Sequence, residues 1–274
     1  MLEIPEAVTI SRQINETLVG KKITKVVVAQ HPHKFAWYHG DPQNYYDLLF
    51  GKVIERAQFY GGMVEIFAGH ACILICEGIN LRYYEDGIKL PAKHQLHIGF
   101  EDGSSIVATV QMYGGLLAYP HGSYDNSYYL IAKEKPNPLS DAFDEAYFRN
   151  MVSENSSAGS LKALLATNQR IPGLGNGVLQ DILFNAKLHP KKKVDTLSDS
   201  DIKHLFLSIK GTLADMTNQG GRETERDLFG SSGAYRTLVS KNTVDKPCEV
   251  CGEIVVKQAY MGGSIYLCPA CQKL

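Results

Sequence analysis

Residues 161–189 read LKALLATNQRIPGLGNGVLQDILFNAKLH, two short helical patterns that meet at a glycine-rich turn with no room for a strand. Ala163, Leu164, Leu165 and Ala166 give the first segment a helical composition, and Ile182, Leu183 and Ala186 give the second an apolar face. Pro172 breaks the chain between them. Gly173, Gly175 and Gly177 are expected to allow positive φ and close backbone approach, and Asn176 is placed to cap the second helix. Amide N–H groups at that helix start would suit a phosphate. Gly173-Leu174-Gly175 is a lone G-x-G that follows a helix rather than a strand, so the dinucleotide-binding context is missing. On this segment alone, an ordinary helical hairpin in a core competes with a docking element.

Working outward, the chain of 274 residues with 44% apolar composition is long enough for two cores. No run approaches the about 18 apolar residues of a membrane span, and MLEIPEAVTI lacks the basic-then-apolar pattern of a secretory signal, so a cytoplasmic protein is expected. The net charge is −1, but residues 157–274 hold 15 Lys and Arg against 11 Asp and Glu. Lys187, His189, Lys191, Lys192 and Lys193 concentrate that excess just past the second helix, as a phosphate-facing patch or a solvated lysine cluster.

Pro5 near a helix start, an apolar face at Ala7, Ile10, Ile14 and Leu18, and Gly20 as a stop predict a helix over residues 5–19. From residue 22 to about 119 the sequence turns to short β-rich runs, from ITKVVVA to SIVATVQMYG, broken by turn signals such as Glu85-Asp86-Gly87. A two-layer antiparallel sandwich fits this spacing. His31, His33 and His39 lie in a loop-rich stretch with no nearby acidic or Cys ligand at a helical spacing and read as a solvated aromatic loop. Cys72 and Cys76 read as buried small residues. Residues 120–140 read as a linker, followed by helices near 141–151 and from about 198 to 218 with Ser198 as cap.

The least ambiguous signal is Cys248-x2-Cys251, then Cys268-x2-Cys271 after sixteen residues. Two such knuckles at the ends of a hairpin predict one tetrahedral Zn²⁺ per chain, a zinc ribbon turning at Met261-Gly262-Gly263. With four thiolates no coordination position stays open for water, so the metal is expected to be structural.

MLEIPE at the start, RIPGLGNG between two helices, QGGRETERDLFG, and the terminal four-cysteine ribbon occur in an order that resembles the formamidopyrimidine-DNA glycosylase and endonuclease VIII family over essentially the whole chain. The resemblance implies an α+β architecture: an N-terminal helix and antiparallel β-sandwich (residues 1–125), a linker (126–140), a helix-two-turn-helix domain (141–240) and a zinc finger (241–274). It implies a base-excision repair protein that acts as a monomer, away from membranes, on duplex DNA with a damaged base or abasic site. In that family an N-terminal proline amine attacks the sugar C1′ and an adjacent glutamate acts as general acid and base. Glu3 matches that glutamate, Asn176 and the adjoining Gly175 match the phosphate-binding turn, Lys162 lies where the family keeps a lysine, and the four cysteines match the zinc ligands.

Three positions depart from the pattern. Leu2 holds the place of the nucleophilic proline, Gly62 that of a sheet lysine, and Gly263 that of a finger arginine that grips phosphate. Leu2 is too large for ordinary Met1 removal, so the sequence leaves the Met1 α-amine, displaced by one residue, as the substitute nucleophile. Ile79 and the Gln111-Met112-Tyr113 turn are the candidates for filling the space a flipped base leaves, with Tyr113 favoured because a ring replaces stacking. The expectation is a DNA glycosylase with altered or weakened chemistry, and lyase activity if an amine serves. The alternative is a catalytically silent protein that binds damaged or distorted DNA.

Overall fold

The first helix, α1 (Ile4–Thr17), starts within four residues of the chain terminus and buries Ile4, Ala7, Ile10 and Ile14, a spacing that keeps one stripe on one side. The computed structural model describes residues 2–110 and 113–274. Met1 and the Gln111-Met112 part of the predicted void-filling turn lie outside the described residues.

The strands that follow α1 form two sheets. One pairs β1 (Ile23–Val28), β7 (Leu96–Phe100), β8 (Ser105–Val110) and β6 (Ile79–Tyr84) in that order; the other runs β2 (Ala36–Trp37), β9 (Gly114–Pro120), β5 (Ala71–Ile75), β4 (Met63–Ala68) and β3 (Ile54–Tyr60). A short helix, α2 (Tyr45–Leu49), follows β2. Pairing is antiparallel except between β2 and β9. Ile23, Ile66, Ile73, Leu81, Ile98, Ile106 and Leu116 meet in the core of this sandwich, with α1 packed on β3 and β4.

Strands β4, β5 and β9 are buried on both faces, which explains their continuous apolar runs. The second face carries Met63, Phe67, Cys72, Leu74, Leu117 and Tyr119, covered by Tyr129 and Ala132 of α3 (Ser127–Glu134). Residues 126–140 are therefore not a bare linker. Tyr119 and Tyr129 both donate 2.7 Å hydrogen bonds to the buried Glu65 carboxylate on this face.

The chain divides into two compact units, Met1–Lys133 with Gly220–Gly233, and Glu134–Gln219 with Ala234–Leu274. This differs from a division in sequence order because the second segment of the first unit returns to α1: Gln13 Nε2 donates to Asp227 (2.8 Å) and the Leu228 amide donates to Gln13 Oε1 (3.0 Å).

The second unit holds α4 (Glu145–Glu154), α5 (Leu161–Ala166), α6 (Asn176–Asn185), α7 (Asp199–Asn218) and the ribbon hairpin β10 (Val256–Tyr260) and β11 (Gly263–Leu267). Ser198 caps α7 in a capping box with Asp201. Ser160 caps α5, and Gly175, not Asn176, is the N-cap of α6. Of the three glycines in the turn only Gly173 has positive φ, while Asn168 and Gln169 take the left-handed conformation upstream. No helix among the described residues is long and apolar enough to cross a membrane.

Candidate active site and nucleic-acid interface

In the first unit, the α1 terminus sets the geometry. Glu3 is the residue before the helix, extended at φ −125°, and its N–H donates to Glu6 Oε2 at 3.3 Å. Leu2 is 4% exposed and belongs to the sandwich core, so the residue at the place of the family nucleophile is held by packing. Arg222, in the returning segment, grips both acids. Its Nη2 donates to Glu6 Oε2 (2.8 Å), its Nε and backbone N to Glu6 Oε1 (3.0 and 3.1 Å), and its Nη1 lies 3.5 Å from Glu3 Oε2.

All three charges are buried. Burial alone would push the Glu6 carboxyl up, but the Arg222 charge and its hydrogen bonds outweigh that and hold it below the ordinary range. Burial likewise lowers Arg222, and Glu3 and Glu6 more than restore it. Glu6 and Arg222 carry no local sequence signal: the arginine sits inside QGGRETERDLFG, 216 residues from the glutamate it pairs with.

Gly62, between β3 and β4, faces the same terminus. A Cβ placed on it would stand 3.0 Å from the Leu2 carbonyl oxygen and 3.1 Å from Glu77 Cγ. The structure thus brings Leu2, Gly62 and a second acid, Glu77, together; Glu77 is a residue that the sequence reading passed over. Ile79 is buried at 3% with its side chain against Gly114, so it does not serve as an inserting side chain. Tyr113 is 38% exposed and its ring lies 5.8 Å from that of Trp37, itself 55% exposed. The parallel pairing of Ala36-Trp37 with Gly114-Gly115 fixes that loop beside Tyr113.

In the second unit, the glycine-rich turn grips the ribbon. Lys162 is buried, its Nζ donates to the Tyr260 carbonyl (2.8 Å), and burial holds it below the usual lysine range. Asn176 Nδ2 donates to Ser264 O (2.9 Å), and Gln180 joins it, accepting from the Tyr266 amide. Both Lys162 and Asn176 therefore brace the hairpin. A Cβ at Gly263 would stand 3.6 Å from Lys162 Nζ, so this position, the lysine and the hairpin tip form one neighbourhood.

Cys248, Cys251, Cys268 and Cys271 present their sulfurs within 4.8 Å of one another, with Cys251–Cys268 at 3.3 Å and Cys248–Cys271 at 4.0 Å. Zn–S bonds of about 2.3 Å place tetrahedral ligands about 3.8 Å apart, so the cluster fits one structural Zn²⁺. Phe184 of α6 and Val255 pack against Cys248 and Cys268.

Residues 135–227 match the formamidopyrimidine-DNA glycosylase H2TH domain. The chain is 26% identical to the formamidopyrimidine-DNA glycosylase of Brevibacillus brevis, across 100% of this chain and 99% of the relative, and 28% identical to that of Listeria monocytogenes across the full length of both. Among solved structures it is similar to a Lactococcus lactis Fpg in complex with abasic-site DNA (TM-score 0.83) and to the same enzyme in complex with DNA containing N7-benzyl-Fapy-dG (TM-score 0.84). Each is 25% identical and covers 99% of this chain and 100% of that one.

Proposed function

We propose that this chain, a full-length homologue of the formamidopyrimidine-DNA glycosylase family, binds duplex DNA carrying a damaged base or an abasic site and releases damaged bases by a hydrolytic route centred on Glu3. The observation that carries the reading is the α1 terminus: Glu3 is held by Arg222 beside a Leu2 that is buried in the core and has no amine of its own. Arg222 orients the Glu3 side chain at the α1 terminus, and in this reading a Glu3 oxygen accepts the proton of the attacking water. Lys162, Gly175, Asn176 and the finger tip at Gly263 supply the phosphate-facing surface, and Tyr113 the inserting ring.

Base release from a panel of formamidopyrimidine and oxidised-pyrimidine duplexes, with Glu3→Gln beside the wild type, tests this reading, and borohydride trapping on abasic duplex tests the covalent one. Release without a trapped adduct supports hydrolysis. A trapped adduct that vanishes when the Met1 α-amine is blocked moves the chemistry to that amine. The burial of Leu2 also favours a second reading, a silent binder of damaged DNA, which wins if no base is released while abasic duplex is still bound.

A further inference from the structure

Glu77 stands in the turn between β5 and β6 and points its carboxylate to the space beside Gly62: a Cβ there would lie 3.4 Å from Oε1, with the Leu2 carbonyl on the other side. Glu77 and the Leu2 carbonyl already fill the position that a side chain at 62 would take. The turn is fixed from behind, since Gly78 takes φ +83° and is packed too closely on the Tyr113 carbonyl to carry a Cβ. Tyr128 of α3 donates its hydroxyl to Glu77 Oε1 at 2.9 Å, and no cation among the described residues pairs with this carboxylate. Burial pushes the Glu77 carboxyl up, the Tyr128 bond opposes it, and the Glu3 charge raises it further. A side chain at position 62 would crowd the Leu2 carbonyl and Glu77 Cγ, so glycine lets the Glu77 carboxyl sit against the α1 terminus.

Building on the hydrolytic reading above, we propose that Glu77 is the second carboxylate of this site and protonates the departing base while Glu3 takes the proton of the attacking water. The water oxygen bonds to C1′, the C1′–N bond breaks with its electron pair passing to the base, the Glu77 carboxyl proton neutralises the base, and Glu3 receives the proton that water loses. Two acids in unlike environments, one paired with a buried guanidinium and one facing a carboxylate, are an arrangement that separates a base from an acid.

Single-turnover base release by the full chain, followed from pH 5 to 9, tests this. Among the described residues, the ionisable groups that act on Glu77 are Glu3, Cys76 and Tyr128; burial pushes the Cys76 thiol up to about 12 and raises Tyr128, so neither titrates in that window. Glu77→Gln, which keeps an acceptor for Tyr128, is expected to slow release by about 10²–10⁴-fold, to remove the wild-type decline toward high pH, and to leave abasic-duplex affinity unchanged. A Glu77→Gln protein with the wild-type rate and profile overturns the role of Glu77 and leaves the hydrolytic reading standing. Absence of release by the wild type with abasic binding intact overturns both.

Discussion

Arg222 and Glu6, 216 residues apart in sequence, form a buried ion pair with Nη2 2.8 Å from Oε2, and the same guanidinium reaches Glu3. Glu3, the residue proposed for the chemistry, is therefore oriented by a group from a distant segment. Removing one partner leaves an uncompensated buried charge, so Arg222→Met is expected to destabilise the first unit by about 3–5 kcal/mol. Urea unfolding of the variant beside the wild type measures it.

The same pair sets a pH dependence. Glu6 has its folded-state pKa depressed, so its contribution is present above the unfolded carboxyl value of about 4.3 and is lost as pH falls through the lower folded value. Thermal melts from pH 7 down to 2 should show a steep acid decline in the wild type and a shallower one in Glu6→Gln, which starts from a lower melting temperature.

Gly263→Arg should tighten binding to abasic duplex. The side chain would enter beside Lys162, where two like charges call for an anion between them. Each phosphate neutralised adds about 0.9 to the slope of log K against log salt, so a salt titration should steepen by that amount.

Asn176→Ala loses both a brace on Ser264 and the proposed phosphate contact. Hydrogen bonds to charged groups contribute about 1.5–3 kcal/mol, and the loss should be the same across DNA sequences because phosphate carries no base information. Binding isotherms on three unrelated duplex sequences check this; a strongly sequence-dependent loss contradicts it.

Trp37 is the single tryptophan of the chain and lies against Tyr113, so its emission reports directly on the Tyr113 ring. Abasic duplex should quench it more than intact duplex does. Tyr113→Ala should weaken the abasic complex by about 1–3 kcal/mol, the range found for base–aromatic stacking.

Signals confined to a short window were legible in the sequence. The four cysteines declare the ribbon by spacing, α1 and α7 by apolar period and caps, and the sandwich strands by β-rich runs between turns. What stayed hidden depends on distant partners. Residues 127–134 look polar enough for a linker, and only the second apolar face of β4, β5 and β9 gives Tyr129 and Ala132 something to cover. Glu77 is one acid in a turn, and its meaning comes from an absent side chain at Gly62. Asn176 has the composition of a cap, yet the hairpin carbonyl at Ser264 claims its amide.

The return of residues 220–233 to α1 sets an order on biosynthesis. A nascent chain that has emerged as far as Lys133 holds every strand of the sandwich but not Arg222, Asp227 or Leu228. Glu6 would then have to be buried without its cation, so the first unit to be translated must remain unfinished until most of the second has left the ribosome. The α1 terminus therefore closes only once Arg222 has emerged, and a product truncated before residue 220 lacks the guanidinium that orients Glu3.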